Sequence, residues 1–245
     1  GSSNFGGSIQ ANVSANTTSG FSIVSYTGTG SNATVGHGLG VAPSVIIIKH
    51  REKGSGYNWV VYAEAIGYSM SNPDPETDFL KLNLTDARVD DNTMFNDTAP
   101  TSSVFSIGTA GLTNNNTFDF IAYCFAEKKG YSKFGSYTGN GNADGPFIYT
   151  GFKPAWVMAK RTDTANVWVI LDNKRDPFNG STESSLRANA SDAENTSYKE
   201  IEFVSNGMKV RSSGTGTNAS GGTYIYMAFA ENPFVTSTGI PTTAR

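Results

Sequence analysis

Gly40-Val41-Ala42-Pro43-Ser44-Val45-Ile46-Ile47-Ile48-Lys49 aligns without a gap on Gly151-Phe152-Lys153-Pro154-Ala155-Trp156-Val157-Met158-Ala159-Lys160. The Gly, the Pro and the Lys coincide, and each segment carries a short apolar run between a proline and a charged residue. That pattern predicts a strand buried on both faces, entered at a proline whose missing N–H costs no ladder bond. Working outward, Tyr26-Thr27-Gly28 matches Tyr137-Thr138-Gly139, Trp59-Val60-Val61-Tyr62 matches Trp168-Val169-Ile170-Leu171, and Phe125-Ala126-Glu127 matches Phe229-Ala230-Glu231. Four anchors recur in one order, so the chain reads as a tandem duplication.

The expected fold is all-β: two tandem antiparallel β-sandwich modules related by internal duplication, over 20–129 and 130–245, with 1–19 as an N-terminal connector. Alternation at Val104-Phe105-Ser106-Ile107 and Tyr224-Ile225-Tyr226-Met227-Ala228-Phe229 adds strands, separated by Asn, Gly and Thr clusters. The strongest helical candidate is Thr182 to Ala188, long enough for a turn or two. Charged residues are 16% of the 245, below the usual quarter, while 27 glycines and many Asn, Ser and Thr supply polarity, which is the balance of turn-rich β structure. Aromatics at 12% exclude a disordered chain.

A net charge of −3 without a Lys/Arg cluster argues against a nucleic-acid partner, and no apolar run reaches the 18 residues or so of a membrane span. The single cysteine, Cys124, reads as a small apolar strand residue. The Thr27-Gly28-Thr29-Gly30 and Thr138-Gly139-Asn140-Gly141 segments lack the following helix that a phosphate loop needs, so their glycines are assigned to hairpin turns. His37 and His50 are the only histidines, and His37 has no counterpart in the second copy, where Phe147-Ile148-Tyr149-Thr150-Gly151 stands instead. It is read as structural, bonded to backbone.

No Cys-x-x-Cys or His-x-His occurs, which argues against zinc and iron. The Asp90-Asp91-Asn92 and Asp172-Asn173 loops offer oxygen atoms but lack the order of a calcium loop. Asp74 and Glu76 do not define a glycosidase pair, and Glu127 with Glu231, matched across the copies, reads as strand termination. Asn-x-Ser/Thr triplets at Asn32, Asn83, Asn96 and Asn218 are what an Asn/Ser/Thr-rich chain produces by chance. The reading assigns no catalytic residue, no metal and no cofactor. Trp59 and Trp168, matched, are core, whereas unmatched loop residues are the ligand-binding candidates: Tyr57, Asn58, Tyr68, Tyr149, Asp172 and Asn173. The divergent stretches 50–58, 68–79 and 172–197 are where recognition is expected.

The segments Val35 to Pro43, Ile121 to Gly135 and Gly222 to Glu231 resemble an uncharacterised C-terminal region of tailed-phage structural proteins, marine and cyanobacterial phages especially. The resemblance covers about residues 20–245 and extends through the ending at Arg245. It implies a non-enzymatic virion protein on the particle surface, foremost a tail fibre or adhesion component that meets a host surface glycan or outer-membrane receptor. Capsid or tail decoration and a surface-polysaccharide depolymerase are the alternatives. Other virion proteins would be neighbours, and a homotrimer is expected, since phage fibres are commonly trimeric and the doubly apolar strand at Val45 to Ile48 would otherwise invite aggregation.

Overall fold

A computed structural model of the chain describes residues 1–52, 56–69, 74–175, 180, 184–197 and 199–233. The chain is all-β, with multiple antiparallel sheets and only short helical turns. It divides into two compact units, the first ending at Glu127 and the second beginning at Lys128, with Leu84–Ala87 also belonging to the second.

Unit 1 contains β1 (Ser2–Asn4), β2 (Ala11–Asn16), β3 (Phe21–Thr27), β4 (Ala33–Gly36), β5 (Val45–His50), β6 (Val60–Ala63), β7 (Asp78–Lys81), β8 (Val89–Asp90), β9 (Val104–Ile107) and β10 (Asp119–Phe125). Its large sheet runs β1-β2-β3-β10-β5-β6-β7-β8, and β4 pairs with β9 in a small one. Val24, Ile46, Ile48, Phe120 and Ala122 from the large sheet share one core with Val35, Phe105 and Ile107 from the small sheet, so the unit is sandwich-like. Unit 2 contains β11 (Ser132–Thr138), β12 (Phe147–Tyr149), β13 (Pro154–Arg161), β14 (Trp168–Asp172), β15 (Ser185–Arg187), β16 (Ile201–Val204), β17 (Gly207–Val210) and β18 (Thr223–Ala230). One sheet runs β11-β18-β13-β14-β15 and the other β12-β17-β16, again around one core that includes Val157, Tyr224, Ile148, Met208 and Phe203.

The two apolar runs are interior strands, β5 between β10 and β6 and β13 between β18 and β14. Pro154 opens β13 where the register with β18 shifts, a place that tolerates a residue without an N–H. Val45, Ile46, Ile47 and Ile48 are all buried within the single chain, so the burial expected from a subunit contact is already supplied without one. Cys124 is fully buried in β10, and burial pushes its thiol up to about 12.

Three expectations meet a different structure. Residues 1–19, expected as a connector, carry β1 and β2, which extend the sheet outward from β3. The helical candidate at 182–188 places Ser185–Arg187 in β15, paired with β14, because ladder bonds and the buried Ser185 outweigh weak local propensity; its first two residues lie outside the described residues. The Thr-Gly-x-Gly segments do not close hairpins, since β3 and β4, like β11 and β12, lie in different sheets.

Those segments form one detailed arrangement twice. In unit 1, Asn114 accepts the Thr29 N–H (2.7 Å) on its amide oxygen and donates to the Ser31 and Gly108 carbonyls (2.6 and 2.7 Å). In unit 2, Asn218 accepts the Asn140 N–H (2.8 Å) and donates to the Asn142 and Ser212 carbonyls (2.7 Å each). Tyr26 and Tyr137 donate to the carbonyls of Thr113 and Thr217 (2.7 and 2.8 Å), and burial raises both phenols well above their ordinary pKa. Gly30 and Gly141 take left-handed φ values of 71° and 69°. A Cβ on Gly28 or Gly139 would run into the carbonyl oxygen of Asn115 or Ala219, so these two glycines serve close approach of backbones.

Candidate functional site: a charged cleft and an aromatic shelf in unit 2

The loop that Asn218 secures at Ser212 continues through Ser213-Gly214-Thr215-Gly216. Tyr224 donates to the Thr215 carbonyl (2.8 Å), and the Asn166 amide donates to the same oxygen (2.9 Å). A buried turn and a core tyrosine therefore hold an otherwise polar loop in one conformation. In unit 1 the corresponding loop at Gly108–Ala110 is covered by a short helix, α1 (Asn92–Phe95). The Gly108 and Ala110 N–H groups donate to the carbonyls of Met94 and Thr93 (3.0 and 2.9 Å). In unit 2 the loop at 212–216 instead lines an open cleft of ≈ 830 Å³.

Four charged side chains from three segments converge there. Arg187 ends β15, Lys199 and Glu200 precede β16, and Arg211 follows β17. Arg187 bonds Glu200 at 3.0 Å with both side chains largely buried, and its Nη1 is buried without a hydrogen-bond partner among the described residues. Arg211 donates from Nε to Glu202 at 2.7 Å, and Lys199 stands 3.4 Å from the same carboxylate. The hydrogen bond from Arg211 lowers the pKa of Glu202. Lys209 reaches Asp144 at 2.8 Å, and that bond holds the Asp144 carboxyl below its usual range.

The small sheet explains this clustering. Glu200 and Glu202 alternate along one strand, and Lys209 and Arg211 along the next, so all four take the same face. Glu202 lies opposite Lys209, and the Arg211 N–H donates to the Glu200 carbonyl at 2.8 Å, continuing the ladder. On the other side of β17, β12 places Phe147 opposite Lys209 and Tyr149 opposite Gly207, while Ile148 turns into the core. Phe147 and Tyr149 are 49% and 64% exposed. They form an aromatic shelf on the face of the small sheet that also carries Lys209.

The sequence-derived candidates are not brought together as one site. Tyr57 is half-buried, stacks near His50 (4.6 Å between ring centroids) and accepts the Lys49 ammonium on its carbonyl (2.6 Å). Asn58 accepts from Asn83 (2.9 Å). Both hold a loop of unit 1. Asp172 accepts Arg175 at 2.7 Å and the N–H groups of Lys174 and Arg175; burial opposes its ionisation, but these bonds prevail and lower its pKa. Asn173 is buried, with its Oδ1 unpartnered among the described residues. The side chain of Tyr68 lies outside the described residues. Tyr149 alone belongs to the shelf.

Arg187 falls within the expected 172–197 stretch but was not singled out, and Lys199, Glu200, Arg211 and Phe147 escaped sequence reading, although Lys199-Glu200-Ile201-Glu202 and Lys209-Val210-Arg211 carry complementary alternation. His37 is buried; its Nε2 lies 3.1 Å from the Thr101 carbonyl and its Nδ1 accepts the Leu39 N–H, and burial lowers its pKa. Among the described residues no three His, Cys, Asp or Glu side chains converge as metal ligands. Asp91 uses its carboxylate to cap α1.

A family model described as a domain of unknown function, DUF7483, matches residues 1–233. No curated protein and no solved structure matches the chain.

Proposed function

The chain belongs to the DUF7483 family, and from that premise we propose that it is a non-enzymatic surface-recognition protein, a tail fibre or adhesion component of a phage virion. In this reading its two units are β-sandwich modules derived by internal duplication, the first serving as scaffold and the second presenting the site. The observation that carries it is the cleft of unit 2, where Arg187–Glu200 and Arg211–Glu202 pairs hold charged groups in fixed positions beside exposed aromatics. Preorganised polar groups next to apolar surface are what a recognition site requires. The recurring Tyr-Gly-Asn arrangement supports the duplication, since a tyrosine and an asparagine at matching places make the same kinds of bond to backbone carbonyls in both units.

Binding is favoured over polysaccharide cleavage by the state of the carboxylates. Glu200 and Glu202 alternate on one strand, about 7 Å apart along the backbone, a spacing near that of hydrolytic carboxyl pairs. Such chemistry needs one carboxyl to keep a proton near neutral pH. Both carboxylates are instead engaged by arginines, Glu200 by Arg187 at 3.0 Å and Glu202 by Arg211 at 2.7 Å, which leaves neither as a free proton donor.

The purified chain, fluorescently labelled, is expected to adhere saturably to host cells at micromolar concentration without releasing reducing ends from their polysaccharide. Failure to adhere removes the adhesion role, and released reducing ends establish an enzyme. Immunogold labelling of virions places the chain on tail or head, separating a fibre from a decoration protein. The trimer implied by the phage resemblance requires a threefold mass in native mass spectrometry; a monomer mass removes it.

A further inference from the structure

We infer that the outer face of β12 and β17, running from Phe147 and Tyr149 to Arg211, binds a saccharide that carries a carboxylate. The inference rests on the recognition reading and names its ligand. Phe147 and Tyr149 project from alternate positions of one strand, so their rings stand about 7 Å apart at the backbone, which suits contact with neighbouring sugar rings. Gly207, opposite Tyr149, adds no side chain to the face, and Phe147 lies close enough to restrict a Cβ there (3.1 Å). The shelf therefore stays flat. Rigid aromatic side chains of this kind bind apolar sugar faces while losing little rotamer freedom.

Charge selects the acid. Among the charged residues that line the cleft, Arg187, Lys199 and Arg211 outnumber Glu200, in a chain whose net charge is −3. Arg211 commits its Nε to Glu202, but its Nη1 is 3.7 Å from Asp144, beyond hydrogen-bond distance. The rest of its guanidinium fork can take a carboxylate, a geometry arginine satisfies with paired bonds. Strand geometry puts Arg211 about 8 Å from Phe147 between backbones, so one oligosaccharide reaches both. Behind it, the buried Nη1 of Arg187 has no acceptor among the described residues, and a ligand oxygen or a bridging water would supply one.

The test uses the full chain and calorimetric titration with two pairs of probes, hexagalacturonate against its carboxyl-reduced form and sialyllactose against lactose. At least one acidic member is expected to bind tenfold or more tightly than its neutral partner; which one does so identifies uronate or sialate as the acid. The exposed double variant Phe147→Ala/Tyr149→Ala should weaken acidic and neutral binding together by tenfold or more. Arg211→Gln should erase only the acid preference, and Arg211→Lys should restore part of it. Unchanged urea midpoints confirm that the variants are folded. Absence of binding by every probe, or an acid preference that survives Arg211→Gln, overturns the inference. If host-cell adherence persists in either case, the recognition reading stands and this site alone falls; if adherence is absent too, both fall.

Discussion

Replacing Asn218 by Ala should destabilise unit 2 severely and loosen the 212–216 loop that lines the cleft. The amide makes three bonds to backbone, accepting from the Asn140 N–H and donating to the Asn142 and Ser212 carbonyls, besides one to the Asn140 side chain. The Ser212 bond is buried, so its orphaned carbonyl costs about 1 to 3 kcal/mol, and each of the other two contributes about 1. The expected loss is about 3 to 5 kcal/mol. Asn114→Ala removes the same three types of bond in unit 1, from Thr29, Ser31 and Gly108, and should cost as much. Urea unfolding followed by tryptophan fluorescence separates the units, because Trp59 lies in the first and Trp156 and Trp168 in the second. With the other tryptophans replaced by Phe, each substitution should move the transition of its own unit. A loss below about 1 kcal/mol at either site would refute the view that this asparagine organises the turn.

Burial lowers the Lys160 ammonium from 10.5 to about 8, against the opposing pull of Asp86 and Asp163, while its Nζ donates to the Thr85 and Arg161 carbonyls. Between those pH values the unfolded chain binds the additional proton, so this residue makes stability rise with pH; Lys160→Met should remove that rise, measured as the difference in urea midpoints between pH 7.5 and 10.5. Gly139→Ala places a Cβ against the Ala219 backbone oxygen and should cost about 3 kcal/mol or more, whereas Gly40→Ala, in open space at φ 73°, should cost about 1, the strain of a left-handed alanine. Thermal melts rank the two, and equal losses would refute the distinction. Cys124 should resist a thiol reagent in the native protein and react only on unfolding; fast native reaction contradicts its burial.

Period-2 and apolar-run signals made β5, β9, β13 and β18 legible in the sequence, because their residues bury through their own strand. Thr113-Asn114 and Thr217-Asn218 were also present in the text, at the same spacing ahead of Phe125-Ala126-Glu127 and Phe229-Ala230-Glu231. They passed as turn residues and a chance glycosylation triplet, since nothing local says that an asparagine amide will be buried against three distant backbone groups. The same limit applied to the cleft. Arg187, Glu200 and Arg211 come from separate segments and acquire meaning only from the β16–β17 register and the contact of Arg187 with Glu200. Tyr149 was recognisable as an unmatched exposed aromatic, whereas Tyr57 and Asp172 carried the same signal but secure their own loops. β1 and β2 were missed because Ser, Asn and Ala alternate there with few large apolar residues.

In both units the last strand inserts beside an early one: β10 pairs with β3 from Asp119↔Thr27 to Phe125↔Phe21, and β18 pairs with β11 from Ser132↔Phe229 to Thr138↔Thr223. Each sheet is therefore split until its final strand arrives. As the chain leaves the ribosome, β3 waits for about ninety residues and β5 for about seventy before the strand between them exists, a separation that slows folding. Folding should consequently proceed in two bursts, one near the emergence of Glu127 and one near Glu231, with the exposed edges of β5 and β13 most vulnerable to misassembly just before each burst.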